Sequence, residues 1–224
     1  MQSVRIWDLP TRLFHWLLAL AVVAMLATGM IGGEALNLHM RIGYGVFALL
    51  LFRLAWGVVG GRWSRFASFV PTPARLSRYL KSGASAAELA GHNPLGALSV
   101  LAMLAALGLQ VGAGLFSDDE IAYSGPLAAR VSGAAVKLAT RYHTMLGKLL
   151  VIALVILHVA AIVWYQRHGR KLVRPMVSGD KALAEPVPAA RDDALTRAAA
   201  LVLLALAGGV VYAVVQWGNA AGLG

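Results

Sequence analysis

HTMLGKLLVIALVILHVAAIVWY, residues 143–165, is the stretch that decides the fold. It carries one charged side chain, Lys148, and matches the roughly 20 apolar residues that cross a hydrocarbon core about 30 Å thick. It also holds two imidazoles, His143 and His158, fifteen positions apart. At about 1.5 Å per residue they are separated by roughly 22 Å along a helix, so one helix offers an imidazole near each membrane face. Ionisable groups within a bilayer are costly, rare and usually functional.

Four more apolar runs, 13–31, 39–60, 95–115 and 195–217, have spanning length. The chain is 59% hydrophobic and 13% charged, against about 25% charged in soluble domains. Its mean hydropathy is +0.70. These features predict an all-α membrane protein: a four-helix transmembrane bundle over 1–180, a linker over 181–194 and an additional transmembrane helix over 195–217. The first run is longer than a signal-peptide core and lacks an obvious small-residue cleavage site, so it reads as a retained helix. The chain has no cysteine, which excludes disulfides, thiolate metal sites and thioether-linked cofactors.

Twenty Lys and Arg oppose ten Asp and Glu, a net charge of +10. The basic residues cluster between the second and third runs (Arg62, Arg65, Arg75, Arg78, Lys81) and after the fourth (Arg167, Arg170, Lys171, Arg174, Lys181). A Lys/Arg excess marks cytoplasmic loops. The N-terminus is then expected in the cytoplasm and, after five spans, the C-terminus outside. The charges flank spans without an interleaved aromatic platform, which argues against nucleic-acid binding.

The orientation brings the histidines into register. Asp8 reads as an N-cap with Pro10 in the first turn, so His15 lies seven residues beyond the cap. His158 lies seven residues before Tyr165, where the fourth helix leaves on the same side. Both depths are roughly 10 Å. His39 follows Asn37, a candidate cap, at the outer end of the second helix, and His143 begins the apolar part of the fourth. His15 is therefore expected to pair with His158, and His39 with His143. Paired imidazoles across a helix bundle suit haem iron. The four histidines are the expected metal ligands of two non-covalent haem b groups.

Gly43 and Gly147 each follow a histidine by four residues, on the same helix face, and leave room for a flat macrocycle. Gly29 is expected to open space at the outer pair. The competing reading is that small residues only permit close helix packing. Haem propionates need cationic partners: Arg53 is expected near the inner pair, and Lys148 near the outer pair with Arg41. The competing reading for these cations is snorkelling. His92, before the cap Asn93 and Pro94, is read as interfacial and structural, with proton exchange at a quinone as the alternative. His168 reads as solvated, and Met25 and Met30 as packing.

The opening Trp7-Asp8-Leu9-Pro10-Thr11-Arg12-Leu13-Phe14-His15-Trp16 resembles that of prokaryotic cytochrome b561 and the b-type cytochrome subunits of nickel–iron hydrogenases. His39-Met40-Arg41-Ile42-Gly43, Gly91-His92-Asn93-Pro94-Leu95-Gly96 and Arg174-Pro175-Met176-Val177-Ser178-Gly179 fit the same family. The resemblance covers about residues 5–180. It implies a four-helix core in a bacterial inner membrane, with two bis-histidine haems b on His15, His39, His143 and His158. It also implies electron transfer between membrane quinone, such as ubiquinone, and a partner redox protein. The fifth helix departs from the usual four, so the oligomeric state and lateral partners stay open.

No dinucleotide fingerprint, phosphate loop or flavin motif is present. Two histidines per iron leave no open coordination position, which favours electron transfer over oxygen chemistry. The reading is an electron-transfer cytochrome working between the quinone pool and a periplasmic cytochrome c or other redox protein. Asp118-Asp119-Glu120 would dock a basic partner or form a plain solvated loop. Three alternatives remain: a superoxide oxidase feeding quinone through a cationic funnel of Arg41, Arg130, Lys137 and Arg141; the membrane anchor of a hydrogenase-like complex; and a haem-free proton-coupled transporter.

Overall fold

The computed structural model describes residues 2–221. Gly224, whose side of the membrane the charge reading assigns, lies outside the described residues. Helix α1, Leu9–Ile31, starts where Asp8 caps it: the Asp8 carboxylate accepts from the Thr11 N–H at 2.8 Å. Pro10 falls in the first turn, where its missing N–H costs nothing. Gly32 and Gly33, with φ of +69° and +54°, turn the chain into α2, Ala35–Val59. Asn37 therefore lies inside α2 and does not cap it. The main-chain carbonyls of Gly32 and Gly33 take the N–H groups of Ala35 and Leu36 instead.

Three short helices follow: α3 (Phe66–Phe69), α4 (Pro73–Ser82) and α5 (Ala86–Ala90). Helix α6, Pro94–Leu115, is capped by Asn93, whose side-chain oxygen accepts from the Gly96 N–H at 2.7 Å. Helix α7, Gly133–Arg141, continues through a π-helical turn, Tyr142–Gly147, into α8, Lys148–Arg167. Helices α9 (Val173–Ser178) and α10 (Ala194–Asn219) complete the chain.

Among the described residues five stretches are long and apolar enough to cross a membrane: α1, α2, α6, the continuous Gly133–Arg167 and α10. Leu20, Val23, Ile156, Leu157 and Leu206 on these helices are exposed, as expected where lipid replaces water. All five begin before the apolar runs that mark them. His39 and His143 consequently lie within their helices.

The described chain divides into two compact units. One holds residues 2–15, 53–103 and 154–203; the other holds residues 16–52, 104–153 and 204–221. In the first, strands β1 (Gln2–Arg5) and β2 (Asp180–Leu183) pair antiparallel, Gln2 opposite Leu183 and Arg5 opposite Asp180. Ile6, Trp7, Trp63, Ala90, Leu183 and Ala190 form its apolar core. Asp8 is fully buried; besides the Thr11 N–H, its carboxylate accepts from Trp56 Nε1 at 3.2 Å and Ser64 Oγ at 2.7 Å. Asp192 gathers the start of α10, accepting from Arg5 at 2.6 Å, Arg197 at 3.1 Å and the Leu9 N–H at 3.2 Å. In the second unit, Arg130 stacks 4.4 Å from the Trp217 ring centre and donates to the Trp217 carbonyl, fastening the end of α10.

Candidate functional site

The second unit contains a cavity of ≈ 320 Å³ whose walls include His39, His143, Gly29, Gly43, Gly114 and Lys148. The two imidazole centroids stand 5.9 Å apart with planes at 89°. Two imidazoles bonded to one metal from opposite sides, at about 2 Å each with a ring radius of about 1.1 Å, put their centroids about 6 Å apart. The spacing fits one iron between them.

Both rings are held by the same device. Nδ1 of His39 donates to the Met25 carbonyl at 3.1 Å, with Thr28 Oγ1 at 3.2 Å. Nδ1 of His143 donates to the Gln110 carbonyl at 2.9 Å. In each case the residue four positions after the carbonyl is a glycine. A Cβ on Gly29 would come 3.1 Å from the His39 ring, and one on Gly114 would come 2.9 Å from the His143 ring. Bare backbone lets each imidazole reach a helix carbonyl. A carbonyl only accepts, so the proton sits on Nδ1 and Nε2 keeps its lone pair for a metal.

The expected glycines divide. Gly43 faces the cavity, and a Cβ there meets only the Met25 side chain, at 3.4 Å. Gly147 does not face the cavity: a Cβ there would overlap Gln110 Oε1 and come 2.7 Å from the Tyr142 ring. The Gln110 side chain is the reason: it fills the space beside Gly147 that a macrocycle would need, while bonding the His143 carbonyl. Met25 contributes a carbonyl and packing, and Met30 is exposed.

In the first unit the His15 and His158 centroids stand 6.4 Å apart at 52°, again the spacing of two imidazoles on one metal. Arg53 is buried, with its guanidinium 4.8 Å from the Phe66 ring centre and 5.9 Å from that of Phe69. Its Nη1 is enclosed and has no hydrogen-bond partner among the described residues. A buried cation with an unshared donor calls for an anion, and a haem propionate is one. Lys148 lies on the cavity wall of the other unit, with its side chain exposed. Arg41 is exposed as well and does not line that wall.

His92 packs edge-on to Trp7 at 4.8 Å and against Phe69 at 4.5 Å. Burial, reinforced by the charges of Arg53 and Lys181, pushes its imidazole down to about 3, so it is neutral at physiological pH. This favours the structural reading over proton exchange. Glu88 is buried against Arg75, Arg78 and the Ser85 N–H. Burial alone would raise it, but these bonds and charges hold it at about 2.

The acidic loop is partly consumed by its own turn. Asp119 accepts from the N–H groups of Ile121, Ala122 and Tyr123 at 2.8–3.0 Å, which lowers its carboxyl below the usual range. Asp118 accepts from the Glu120 N–H at 2.6 Å. Lys137 and Arg141 border the same shallow depression as these acids, and Arg130 is engaged with Trp217.

Sequence reasoning missed Thr28 and Gln110, and it took Asp8 only as a cap. The available signal was a lone polar side chain inside an otherwise apolar spanning helix, a costly choice that implies a partner.

Among the described residues no three His, Cys, Asp or Glu side chains gather to hold a metal ion. Pairs of imidazoles suit a metal that brings its own in-plane donors, as haem does. The sequence profile of prokaryotic cytochrome b561 matches residues 6–179. The chain belongs to the prokaryotic cytochrome b561 family. This b561 cytochrome is 29% identical over 214 residues to a probable Ni/Fe-hydrogenase B-type cytochrome subunit of Cupriavidus necator, covering 80% of the chain and 87% of the relative. It is also 29% identical over 124 residues to a protein of the same description from Azotobacter vinelandii, covering 44% and 52%. No solved structure matches it. Family membership makes the protein a multi-pass membrane cytochrome that holds haem b and carries electrons.

Proposed function

We propose that this cytochrome carries electrons across the bacterial inner membrane through two bis-histidine haems b. His15 and His158 would hold one, and His39 and His143 the other. The observation that carries the reading is the spacing of the two imidazole pairs, 6.4 and 5.9 Å between centroids. Haem supplies a one-electron iron couple when bound. The four histidines would hold the groups, His39 and His143 in a tautomer fixed by helix carbonyls, and Arg53 foremost and Lys148 second would meet the propionates. Lys/Arg-rich loops support a cytoplasmic N-terminus and a periplasmic C-terminus. Quinone, ubiquinone among them, would exchange electrons at one haem, and a periplasmic redox protein such as a cytochrome c at the other.

A second reading of the partner is favoured by the two relatives, both described as probable hydrogenase cytochrome subunits. Here the protein would anchor the catalytic subunit of a hydrogenase-like complex and take its electrons. A superoxide oxidase draws less support, because Arg130 is engaged and Lys137 and Arg141 share their depression with three acids.

Pyridine haemochrome assay against protein concentration tests the central claim. About two haems b per chain are expected, with low-spin spectra and reduction by quinol. A ratio near one overturns it.

A further inference from the structure

The π turn and Gln110 belong together. A π turn is wider than an α turn by one residue and is commonly retained at functional positions. Here it spans Tyr142–Gly147 and so contains His143. The Gln110 side chain donates from Nε2 to the His143 carbonyl at 2.9 Å, inside that turn. The Gln110 main-chain carbonyl accepts from His143 Nδ1 at 2.9 Å. One residue of α6 therefore grips both the backbone and the ring of His143. Gln110 Oε1 is enclosed with no hydrogen-bond partner among the described residues, directly where a Gly147 Cβ would fall. Gly147 is thus the gap that admits the amide. One turn further along α6, a Cβ on Gly114 would come 2.9 Å from the same ring, so bare backbone is needed there too.

We propose that Gln110 is a positioning residue for the His143 ligand: its amide holds the π turn open and fixes the imidazole plane at 89° to that of His39. The inference rests on His39 and His143 being haem ligands. An annealed α turn would shift His143 around the helix by most of the roughly 100° that separates neighbouring residues, out of line with His39. The clamp is made by an uncharged amide, so it orients the ligand without adding a charge beside it. Outer partners of metal ligands are typically worth about 10- to 100-fold in retention of the metal group.

The test uses the full chain in membranes, read by electron paramagnetic resonance and by haem retention during detergent washing. The low-field g value of an oxidised low-spin haem reports the angle between its two imidazole planes. Gln110→Met keeps length and apolar bulk but lacks the donor; Gly147→Ala displaces the amide. Each is expected to move the same one of two g signals toward less perpendicular ligands. Each should also weaken retention of that haem by about 10- to 100-fold. The double variant Gln110→Met/Gly147→Ala should be no worse than the more severe single variant. His143→Ala, run alongside, should abolish that signal. If it does so while both Gln110→Met and Gly147→Ala leave the signal and retention unchanged, the clamp is overturned and the ligand assignment stands. If His143→Ala leaves both haem signals intact, the ligand assignment falls and the clamp with it.

Discussion

The two histidine pairs are framed by different physics. The groups that hold His39 and His143 are neutral: two helix carbonyls, two glycines, Thr28 and the Gln110 amide. The unit that holds His15 and His158 also buries the guanidinium of Arg53, with an unshared donor among aromatic rings, and the Asp8 carboxylate. Neutral hydrogen bonds fix a ring's tautomer and plane. A buried charge fixes an electrostatic potential. Two chemically identical pairs of imidazoles thereby sit in two different electrostatic environments.

The largest expected effect breaks the comparison outright if it fails. His15→Ala and His158→Ala should each abolish one component of the reduced-minus-oxidised haem spectrum, and His39→Ala and His143→Ala the other. Loss of one common component in His15→Ala and His39→Ala would mean that the pairs are wrongly drawn.

An intermediate effect sharpens the contrast between charge and dipole. A cation near haem favours the reduced, less positive iron. Arg53→Gln should therefore lower one midpoint potential by roughly 50 to 100 mV, where 59 mV is tenfold for one electron. Lys148→Gln should shift the other by much less, because its exposed charge is screened by water. Potentiometric titration of both variants decides. Equal shifts would show that burial does not separate the two cations.

The smallest effect concerns acid stability. The folded value of His92 is about 3, below the ordinary 6.5. Its neutral form is favoured by folding, so its stabilising share is complete above pH 6.5 and is lost as pH falls toward 3. The loss should reach about 1 to 2 kcal/mol near pH 5. Glu88, held at about 2, adds its own loss only below the ordinary carboxylate range. Thermal unfolding by circular dichroism between pH 7 and 5 should show a decline that His92→Phe abolishes. An unchanged slope in the variant would assign the decline elsewhere.

Much of this was legible in the chain. Spanning helices are written in length and apolarity, and the caps at Asp8 and Asn93 in residue type and spacing. Depth arithmetic alone matches His15 with His158 and His39 with His143, the rings that stand together in the structure, because helical rise is constant. What was not legible depends on deviations from regularity. The π turn has no marker in the sequence, and the space expected beside Gly147 is taken by the side chain of Gln110 from another helix. Asn37 looked like a cap, but the two preceding glycines move the helix start ahead of it. Gln110 was visible only as an isolated polar residue, and its partner lies 33 positions away.

The β1–β2 ribbon sets a timetable for biogenesis. Arg5 bonds Asp180, 175 positions later, and Asp192, 187 positions later. At roughly 5 to 20 residues per second, the ribosome delivers those partners about 10 to 40 seconds after Arg5. During that interval the first strand has no mate, and α1 waits without the carboxylate that later meets the Leu9 N–H. Four of the five spanning helices are already made before the first can be latched. Closure of the ribbon is therefore a late event, and a nascent chain stalled before Asp180 would carry every expected iron ligand while its N-terminal strand remained open.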